Sequence, residues 1–285
     1  MTLYEEARAA LHQSGFRPRK SLGQNFLIHE RVLDAIIRLL ALGSSDNVLE
    51  IGPGLGFLTR RLVDLAEWVW AVEVDATLVG RLQQGPLGTQ GNFTLIEGDI
   101  LNVPLSYWLP AEKIKLVGNL PYSISTPVLF RLFELRRHFS SMVLMLQKEV
   151  ADRVAAVPGT KDYGTLSVWS HIHGRISEKV AVSPEAFFPK PKVRSTIVKI
   201  ELHPEPLIGP VELPVLRGLV RAAFGQRRKT LSNVLTTWLL RQRGEIDEIL
   251  RTHNIEPQRR GETLLIDEFI TLARGLRERG LPIPQ

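Results

Sequence analysis

The sequence lacks cysteine altogether, since none of its 285 residues is a cysteine. That absence excludes a disulfide framework, a thiolate nucleophile and a cysteine-ligated zinc site. Long apolar runs are missing too, because no stretch approaches the ~18 uninterrupted apolar residues of a membrane span. The N-terminal segment lacks the basic-then-apolar order of a signal peptide. We therefore expect a cytoplasmic protein without a membrane partner.

Histidines are few, with seven scattered along the chain. The closest pair, His171 and His173, has no carboxylate at the spacing of a metal-binding motif, so we predict no metal. Hydrophobic residues make up 44% of the chain and charged residues 23%, which suits an ordinary globular protein. The length fits one large domain with a smaller appendage.

Acidic residues are missing from one stretch of the chain. The formal net charge is +6, and between Glu212 and Glu245 there are seven basic residues and no acid. Two smaller basic groups stand before "SLGQNFL" and around "FFPKPKV". The three groups are Arg217, Arg221, Arg227, Arg228, Lys229, Arg241 and Arg243; Arg17, Arg19 and Lys20; and Lys190, Lys192, Arg194 and Lys199. Each group alone equally suits a solvated face, but three of them favour nucleic acid as the partner.

Short apolar runs alternate with helical patterns through the first two thirds of the chain. This alternation predicts an α/β fold, a Rossmann-like, doubly wound parallel sheet with helices on both faces. The predicted strands are "NVLEI", "WVWAVEV", "FTLIEG", "IKLVGN" and "SMVLMLQ". Two later segments, "ISEKVAV" and "STIVKIEL", alternate in polarity and are expected to close the sheet edge as an antiparallel pair.

A proline-rich segment divides the chain. "HPEPLIGPVELP", residues 203–214, contains four prolines, which breaks regular structure and is typical of a linker. The segments that follow carry apolar residues at helical spacing. We predict a first domain over residues 1–203 and a small all-helical domain over residues 204–285, whose basic stretch favours nucleic acid as its partner; the resemblance described below implies that this domain binds RNA.

Three glycines join the first predicted strand to its helix in "VLEIGPGLGFLT". Backbone without Cβ lets a ligand approach closely, but such a loop alone suits several nucleoside cofactors. The spacing here is G-x-G-x-G rather than the dinucleotide G-x-G-x-x-G, and Glu50 precedes it. Glu50 is able to receive an ammonium group, which a nicotinamide dinucleotide does not carry.

Two further acids follow the next two predicted strands. Glu73 can accept from both hydroxyls of a ribose, and Asp99 from an adenine amino group. Either acid alone equally suits a helix cap or a surface position. Ligands of open sheets bind at the carboxyl ends of the strands, where all three acids fall. An amino acid, a ribose and an adenine in that order make S-adenosylmethionine the predicted cofactor.

The tetrapeptide "NLPY", residues 119–122, follows the fourth strand. As a lone match it suits a tight turn. Beside a methyl donor, the Asn119 side-chain oxygen and the Leu120 carbonyl can each accept one N–H of an aromatic amine and turn its lone pair toward the methyl. Tyr122 can stack on the base. The motif therefore predicts amine methylation without a strong general base.

Two phenylalanines, Phe187 and Phe188, stand in a proline-spaced loop flanked by lysines. One of them suits a core position. The other can stack on the opposite side of an extruded base, as a methyltransferase acting on structured nucleic acid requires.

As a set, seven motifs resemble the rRNA adenine N6-dimethyltransferase family, which has a class I methyltransferase fold, over most of the chain. They are "RKSLGQNFL", "LEIGPGLGFLT", "VEVD", "GDIL", "NLPYSIST", "FFPKPKVRS" and "FGQRRKTLSN". The last motif is similar to the KsgA (RsmA) branch, whose members dimethylate two adjacent adenines in the hairpin near the 3′ end of small-subunit 16S rRNA. The resemblance implies 16S rRNA within the small ribosomal subunit as the partner and a monomeric enzyme.

The resemblance also implies roles for individual residues. The cofactor set is Gln24, Asn25, Leu27, Gly52, Glu73, Asp99 and Asn119. The target-base set is Asn119, Leu120, Tyr122 and Phe187, with Phe187 preferred over Phe188 as the first residue of F-x-P-x-P. Arg227, Arg228 and Lys229 are implied to bind RNA. Ser123 departs from the family pattern, since many members have Asn there.

Two other hypotheses stay open at this point. One is an Erm-like large-subunit rRNA or DNA adenine N6-methyltransferase. The other is a ribosome-assembly factor that binds RNA without needing catalysis, against which the intact "NLPY" motif and the three acids argue.

Overall fold

The computed structural model describes residues 2–13, 18–19 and 22–281. Contacts divide the chain into two compact units. The first comprises Met1–Ala151 and Arg175–Leu202, and the second comprises Asp152–Gly174 and His203–Gln285.

A seven-stranded sheet forms the centre of the first unit. Its strands lie in the order β4-β3-β2-β5-β6-β9-β7. Their bounds are β2 Asn47–Ile51, β3 Trp68–Glu73, β4 Phe93–Glu97, β5 Ile114–Asn119, β6 Phe139–Gln147, β7 Gly174–Val182 and β9 Ser195–Leu202. The pairs among β2 to β6 are parallel, and β9 runs antiparallel to β6. Two short strands, β1 Phe26–Leu27 and β8 Phe187–Phe188, pair with each other in antiparallel fashion.

The helices of the first unit cover this sheet. They are α1 Leu3–Gln13, α2 Glu30–Leu40, α3 Phe57–Val63, α4 Ala76–Gln84, α5 Leu105–Trp108 and α6 Ser125–Glu134, and α7 Lys148–Ala155 runs across the division between the units. In α2 the buried residues Leu33, Ile36, Leu39 and Leu40 recur at helical spacing and form its core-facing side. The central strands are apolar along most of their length because helices bury both faces of a parallel sheet.

The second unit is helical. It contains α8 Thr165–His173, α9 Leu213–Gly225, α10 Leu231–Leu239, α11 Arg243–Thr252 and α12 Ile266–Glu278. Tyr163 is fully buried in its core, where the ring meets Phe224 edge-on at 5.6 Å between centroids. The Tyr163 hydroxyl donates to the Leu264 carbonyl over 3.0 Å. This bond satisfies a polar group that would be costly to bury without a partner.

The predicted order of elements agrees with this architecture. All seven predicted strands are present, and β7 and β9 are neighbours at one edge of the sheet. The sequence predicts residues 152–174 as part of the first domain, whereas their contacts place them in the second unit. The reason is that α8 packs on α9, a helix about 50 residues further along the chain.

No helix in the described ranges is long and apolar enough to cross a membrane. Within the same residues, no group of three or more His, Asp or Glu side chains is arranged to hold a metal ion.

Candidate active site

An open cavity lies at the carboxyl ends of β2, β3, β4 and β5, where the loops leave the sheet. We call it the strand-end cavity. It is lined by residues of the segments 22–27, 50–55, 72–74, 98–100 and 119–122, all in the first unit. It encloses about 1100 Å³ of empty space, part of it continuous with solvent. Nucleotide-sized ligands of open α/β sheets bind at this end of the strands.

The glycine loop forms one wall of the strand-end cavity. Gly52 and Gly54 have φ values of 69° and 58°, a conformation that favours glycine. A Cβ on Gly54 would lie 3.1 Å from a ring carbon of Phe26, so the backbone approaches that ring closely. The loop therefore presents bare backbone to the cavity, as a cofactor cradle requires.

Glu50 lies at the bottom of the loop and is only 2% exposed. The Thr59 hydroxyl donates to its Oε2 atom over 2.6 Å. Burial raises the pKa of Glu50 to about 7, and the charge of Glu73 acts in the same direction, although the bond from Thr59 lowers it. A cation in the cavity would reverse this effect, so the surroundings of Glu50 fit an incoming ammonium group.

Glu73 ends β3 and is 5% exposed. Its Oε2 accepts the N–H of Gly54 over 3.1 Å, and its Oε1 accepts the N–H groups of Val74 and Asp75, each over 3.0 Å. Burial raises its pKa, and these backbone bonds oppose the rise. Oε1 thus accepts two N–H groups and Oε2 one, so the residue is fixed in place and Oε2 is still able to receive a hydroxyl group.

Asp99 follows β4 and lines the strand-end cavity. Its Oδ1 accepts the N–H of Leu101 over 2.9 Å, and its Oδ2 accepts the Asn102 amide over 3.2 Å. These local bonds fix the direction of the carboxylate and leave it able to accept an adenine amino group.

The segment around Gln24 contributes another wall. The Gln24 Nε2 atom donates to Asp75 Oδ2 over 2.8 Å, and its Oε1 accepts the N–H of Arg19 over 2.7 Å. The Asn25 side chain donates to the Gly23 carbonyl over 2.9 Å. Leu27 is buried in β1 and also lines the cavity. Both polar atoms of Gln24 are thus engaged within the protein, which sequence reasoning did not foresee.

Asn119 is the last residue of β5, and a hydrogen bond holds its side chain against the segment around Gln24. Its Nδ2 atom donates to the Asn25 carbonyl over 3.0 Å. Because a carbonyl only accepts, the amide nitrogen faces Asn25 and the side-chain oxygen faces away. Within the described residues, no donor bonds this oxygen or the Leu120 carbonyl. The two acceptors that "NLPY" predicts therefore have no donor in this part of the chain, and both residues line the cavity, with Leu120 itself 1% exposed.

Tyr122 follows in the same loop and is half-buried. Its hydroxyl and the Ser195 Oγ atom are 2.6 Å apart. Burial raises the pKa of Tyr122, so the phenol stays neutral at physiological pH. This contact ties the "NLPY" loop to the first residue of β9.

Phe187 takes a different place from the rest of the set. It pairs with Leu27 across β1 and β8, is 2% exposed and is not among the residues that line the strand-end cavity. Phe188 is partly buried and meets Tyr4 edge-on at 5.6 Å. Stacking of Phe187 on a base stays a prediction, and it requires this side chain to become uncovered.

The predicted RNA contacts differ in their surroundings. In the second unit the Arg227 guanidinium donates to the carbonyls of Lys161 and Tyr163 over 3.0 and 3.1 Å, and it also meets Glu262 at 3.3 Å. Arg228 and Lys229 are exposed. Of the basic group Arg17, Arg19 and Lys20, only Arg19 lies within the described residues.

Comparison with known proteins gives a consistent result. Residues 15–272 match the family model of ribosomal RNA adenine dimethylase. The chain belongs to this family. It is 43% identical over 270 residues to "Ribosomal RNA small subunit methyltransferase A" of Geobacter metallireducens, covering 93% of this chain and 98% of that one.

Two solved structures have the same fold. A dimethyladenosine transferase from Plasmodium falciparum superposes with a TM-score of 0.79 and 27% identity, over 90% of this chain and 98% of its own. The 23S rRNA methyltransferase ErmE superposes with a TM-score of 0.68 and 25% identity, over 89% of this chain and 100% of its own.

Family membership confirms three predictions from the sequence. The dimethylase has the Rossmann-like class I methyltransferase fold, its cofactor is S-adenosylmethionine, and its activity is dimethylation of adenine in ribosomal RNA. The strand-end cavity fits the cofactor, because buried acids stand at consecutive strand ends beside a glycine cradle.

Sequence reasoning missed three side chains that hold the site of the dimethylase together. Thr59 bonds Glu50, Asp75 bonds Gln24, and Ser195 bonds Tyr122. Of these, the capping role of Asp75 could have been predicted, because an acid two residues before Thr77 at a strand-to-helix junction is typical of a helix N-cap.

Proposed function

We propose that this dimethylase methylates N6 of two adjacent adenines in the 3′-terminal hairpin of small-subunit 16S rRNA, during assembly of the small subunit. The names of the curated relatives support the small subunit as substrate. The observation that supports the chemistry is a pair of acceptors without a donor among the described residues, the Asn119 side-chain oxygen and the Leu120 carbonyl, in two residues that line the strand-end cavity.

The residues of the cavity are proposed to hold the cofactor in a fixed order. Glu50 and the Gly52 backbone face its amino-acid end, with Asn25 and Leu27 alongside. Glu73 accepts the ribose hydroxyls and Asp99 accepts the adenine amino group. Bound S-adenosylmethionine supplies an electrophilic methyl group on a sulfonium.

Asn119 and Leu120 are proposed to prepare the target nitrogen. An exocyclic adenine amine is a poor nucleophile because its lone pair is delocalised into the ring. When each acceptor takes one N–H, the nitrogen becomes pyramidal and its lone pair turns toward the methyl. Methyl transfer from a bound sulfonium to this lone pair would release a neutral thioether, and the methylated nitrogen would then lose a proton to water. Catalysis is mainly alignment, which agrees with the lack of a strong base in the "NLPY" loop.

Tyr122 is proposed to stack on the extruded base, with its ring held by Ser195. Phe187 is proposed to stack on the opposite face of the base after its side chain becomes exposed. In keeping with the family resemblance, we propose a monomer that acts on rRNA in the cytoplasm.

The test uses methyl-labelled cofactor with small subunits, large subunits and naked 16S rRNA, followed by mapping of the product. We expect label in two adjacent adenines of the small subunit. Asn119→Ala should keep cofactor affinity and lose roughly a hundred- to a thousandfold in single-turnover rate, because its contact acts mainly in the transition state. Near-normal turnover by this variant would contradict the proposed mechanism.

A second candidate is modification of large-subunit rRNA. The fold does not discriminate, because the 23S rRNA methyltransferase ErmE has it as well. Label found in large subunits but not in small ones would establish this alternative. If no label appears in either subunit while the chain still binds small subunits, the role of an assembly factor would replace catalysis.

A further inference from the structure

We infer that Asp75 is a positioning residue for methyl transfer, because it fixes the segment Gly23–Asn25 whose backbone orients the Asn119 amide. The inference rests on the proposed role of Asn119. Asp75 does not line the strand-end cavity and is fully buried. It therefore acts through other residues rather than on the reacting groups.

The first link joins Asp75 to Gln24. One carboxylate oxygen of Asp75 accepts the N–H of Thr77 over 3.0 Å and so caps α4. The other accepts the Gln24 Nε2 atom over 2.8 Å and lies 3.6 Å from the Arg19 guanidinium. A buried carboxylate with these partners is a strong anchor for the segment that carries Gln24.

The anchored segment packs directly on the "NLPY" loop. A Cβ on Gly23 would lie 3.3 Å from the Pro121 side chain, and Gly23 has φ of 62°, so a larger residue would push the two loops apart. The Asn25 side chain bonds the Gly23 carbonyl, which makes the segment a compact turn. Its geometry is therefore set by both the Asp75 anchor and Pro121.

The second link joins this turn to the reacting group. The Asn25 carbonyl accepts Asn119 Nδ2 over 3.0 Å. If the turn moves, Asn119 loses the partner that keeps its oxygen directed at the target amine. A displacement of about 1 Å at such a contact can slow a reaction by up to ~100-fold.

The hydrogen bond between Asp75 and Gln24 is tested by exchanging the carboxylate and the carboxamide between the two positions. In Asp75→Asn the new amide can still cap α4 through its oxygen, but its NH₂ then faces the NH₂ of Gln24. Turning the Gln24 amide over does not help, because its nitrogen would then face the N–H of Arg19. In Gln24→Glu two carboxylates face each other. In the double variant Gln24→Glu with Asp75→Asn, the bonds of the Thr77 and Arg19 N–H groups and the bond between positions 24 and 75 are all satisfied again. The Arg19 guanidinium, 54% exposed, loses only its 3.6 Å ion pair and faces solvent.

The first readout is the side-chain amide of Asn119 in ¹⁵N NMR spectra, identified by its loss in Asn119→Ala. We expect both single variants to shift this signal and speed its hydrogen exchange, and the double variant to restore it. The second readout is the single-turnover rate of small-subunit methylation at saturating cofactor and RNA. Each single variant should be slower by about tenfold or more, and the double variant should come within about threefold of the wild type.

Controls separate positioning from folding and from cofactor binding. Asp64→Asn removes an exposed carboxylate of the same size and should leave the rate unchanged. Thermal melting and cofactor calorimetry are measured for every variant. Gln24→Glu keeps the Asp75 cap of α4 and so tests the anchor even where Asp75→Asn does not fold.

Two results would overturn the inference: an Asn119 signal that is unchanged in both single variants, or a double variant that regains the signal but not the rate. Failure of the proposed function shows differently. In that case Asn119→Ala itself methylates at a near-normal rate, whatever the Asp75 variants do.

Discussion

Two buried carboxylates dominate the chemistry of the strand-end cavity at the scale of single residues. Glu50 and Glu73 are both shielded from water, and the charge of Glu73 is one reason that the pKa of Glu50 rises. Without a cation nearby, the folded protein holds a proton that an exposed glutamate would release. The stability of the protein and its affinity for the cofactor should both depend on pH.

The first prediction concerns stability in the absence of cofactor. The pKa of Glu50 is about 7 in the folded protein against 4.5 for an ordinary glutamate. Between these two values the folded state binds more protons than the unfolded state, so the free energy of unfolding falls as pH rises from 4.5 to 7. The contribution of Glu50 is on the order of 3 kcal/mol. Urea unfolding across this range should show the decline.

Glu50→Gln is the matched variant, because it keeps the shape and removes the titration. Its stability should decline less between pH 4.5 and 7, and what decline remains should come mainly from Glu73, whose pKa burial also raises. Identical pH profiles for the variant and the wild type would show that Glu50 does not titrate in this window.

The second prediction concerns cofactor affinity. An ammonium group beside Glu50 favours its ionised form, so binding should release a proton below pH ~7. Affinity for S-adenosylmethionine should therefore rise with pH up to about 7 and then level off. Calorimetry in two buffers of different ionisation enthalpy measures the proton release. Glu50→Gln should bind more weakly and with a smaller pH dependence, which then comes from Glu73, and release of as many protons by that variant as by the wild type would contradict the assignment.

Some of the site follows from the sequence at the residue scale and some does not. Glu50, Glu73, Asp99 and Asn119 were predictable because ligands gather at strand ends, a rule that needs only the strand pattern. The hydrogen bond of the Gln24 side chain could not be predicted, because its partner Asp75 is 51 residues away in the sequence. The burial of Phe187 depends on pairing between two short strands, for which sequence periodicity gives no signal.

At the scale of elements, the long strands were predictable and the short ones were not. The strands of the large sheet are five to nine residues long, enough to show an apolar or alternating pattern, and several are bounded by Gly, Pro, Asn or Asp. β1 and β8 have two residues each, too few to show any alternation. The membership of residues 152–174 depends on which surface α8 meets, and local sequence does not encode that choice.

The third prediction concerns the start of α10 and the loop before it. Arg228 and Lys229 are exposed in the second unit, whereas Arg227 bonds two carbonyls there. Changing Arg228 and Lys229 together to Ala should weaken binding to 16S rRNA and lower its salt slope by roughly 1.5, at a little under one unit for each lost phosphate contact. Filter binding at several salt concentrations measures the slope, and the melting temperature should not change.

Arg227→Ala is the contrasting variant. It should lower the melting temperature, because the carbonyls of Lys161 and Tyr163 lose their charged donor, at a cost of about 1 to 3 kcal/mol. A normal melting temperature together with a lower salt slope would instead make Arg227 an RNA contact. An unchanged slope in the Arg228 and Lys229 double variant would leave those two as solvated residues.

For the whole molecule, positive charge is spread over both units. The first unit has 21 basic and 18 acidic residues and the second has 15 and 12, so each carries a formal net charge of +3. The basic residues of α9 and the following loop therefore form a local cluster, since the helical unit as a whole has no higher net charge than the first unit. Loss of two charges should weaken binding of RNA without abolishing it, because both units attract phosphate.

The last prediction concerns how the cofactor stabilises the molecule. Every residue that lines the strand-end cavity belongs to the first unit, so cofactor at a hundred times its dissociation constant should stabilise that unit by about 2.7 kcal/mol. Hydrogen exchange should slow in β2, β3 and β5, while the amides of α9 and α12 exchange as before. Glu73→Ala, which weakens cofactor binding, should lose the protection at the same cofactor concentration. Equal protection of the helical unit would mean that the two units unfold together, and the cofactor would then stabilise the chain as a single cooperative body.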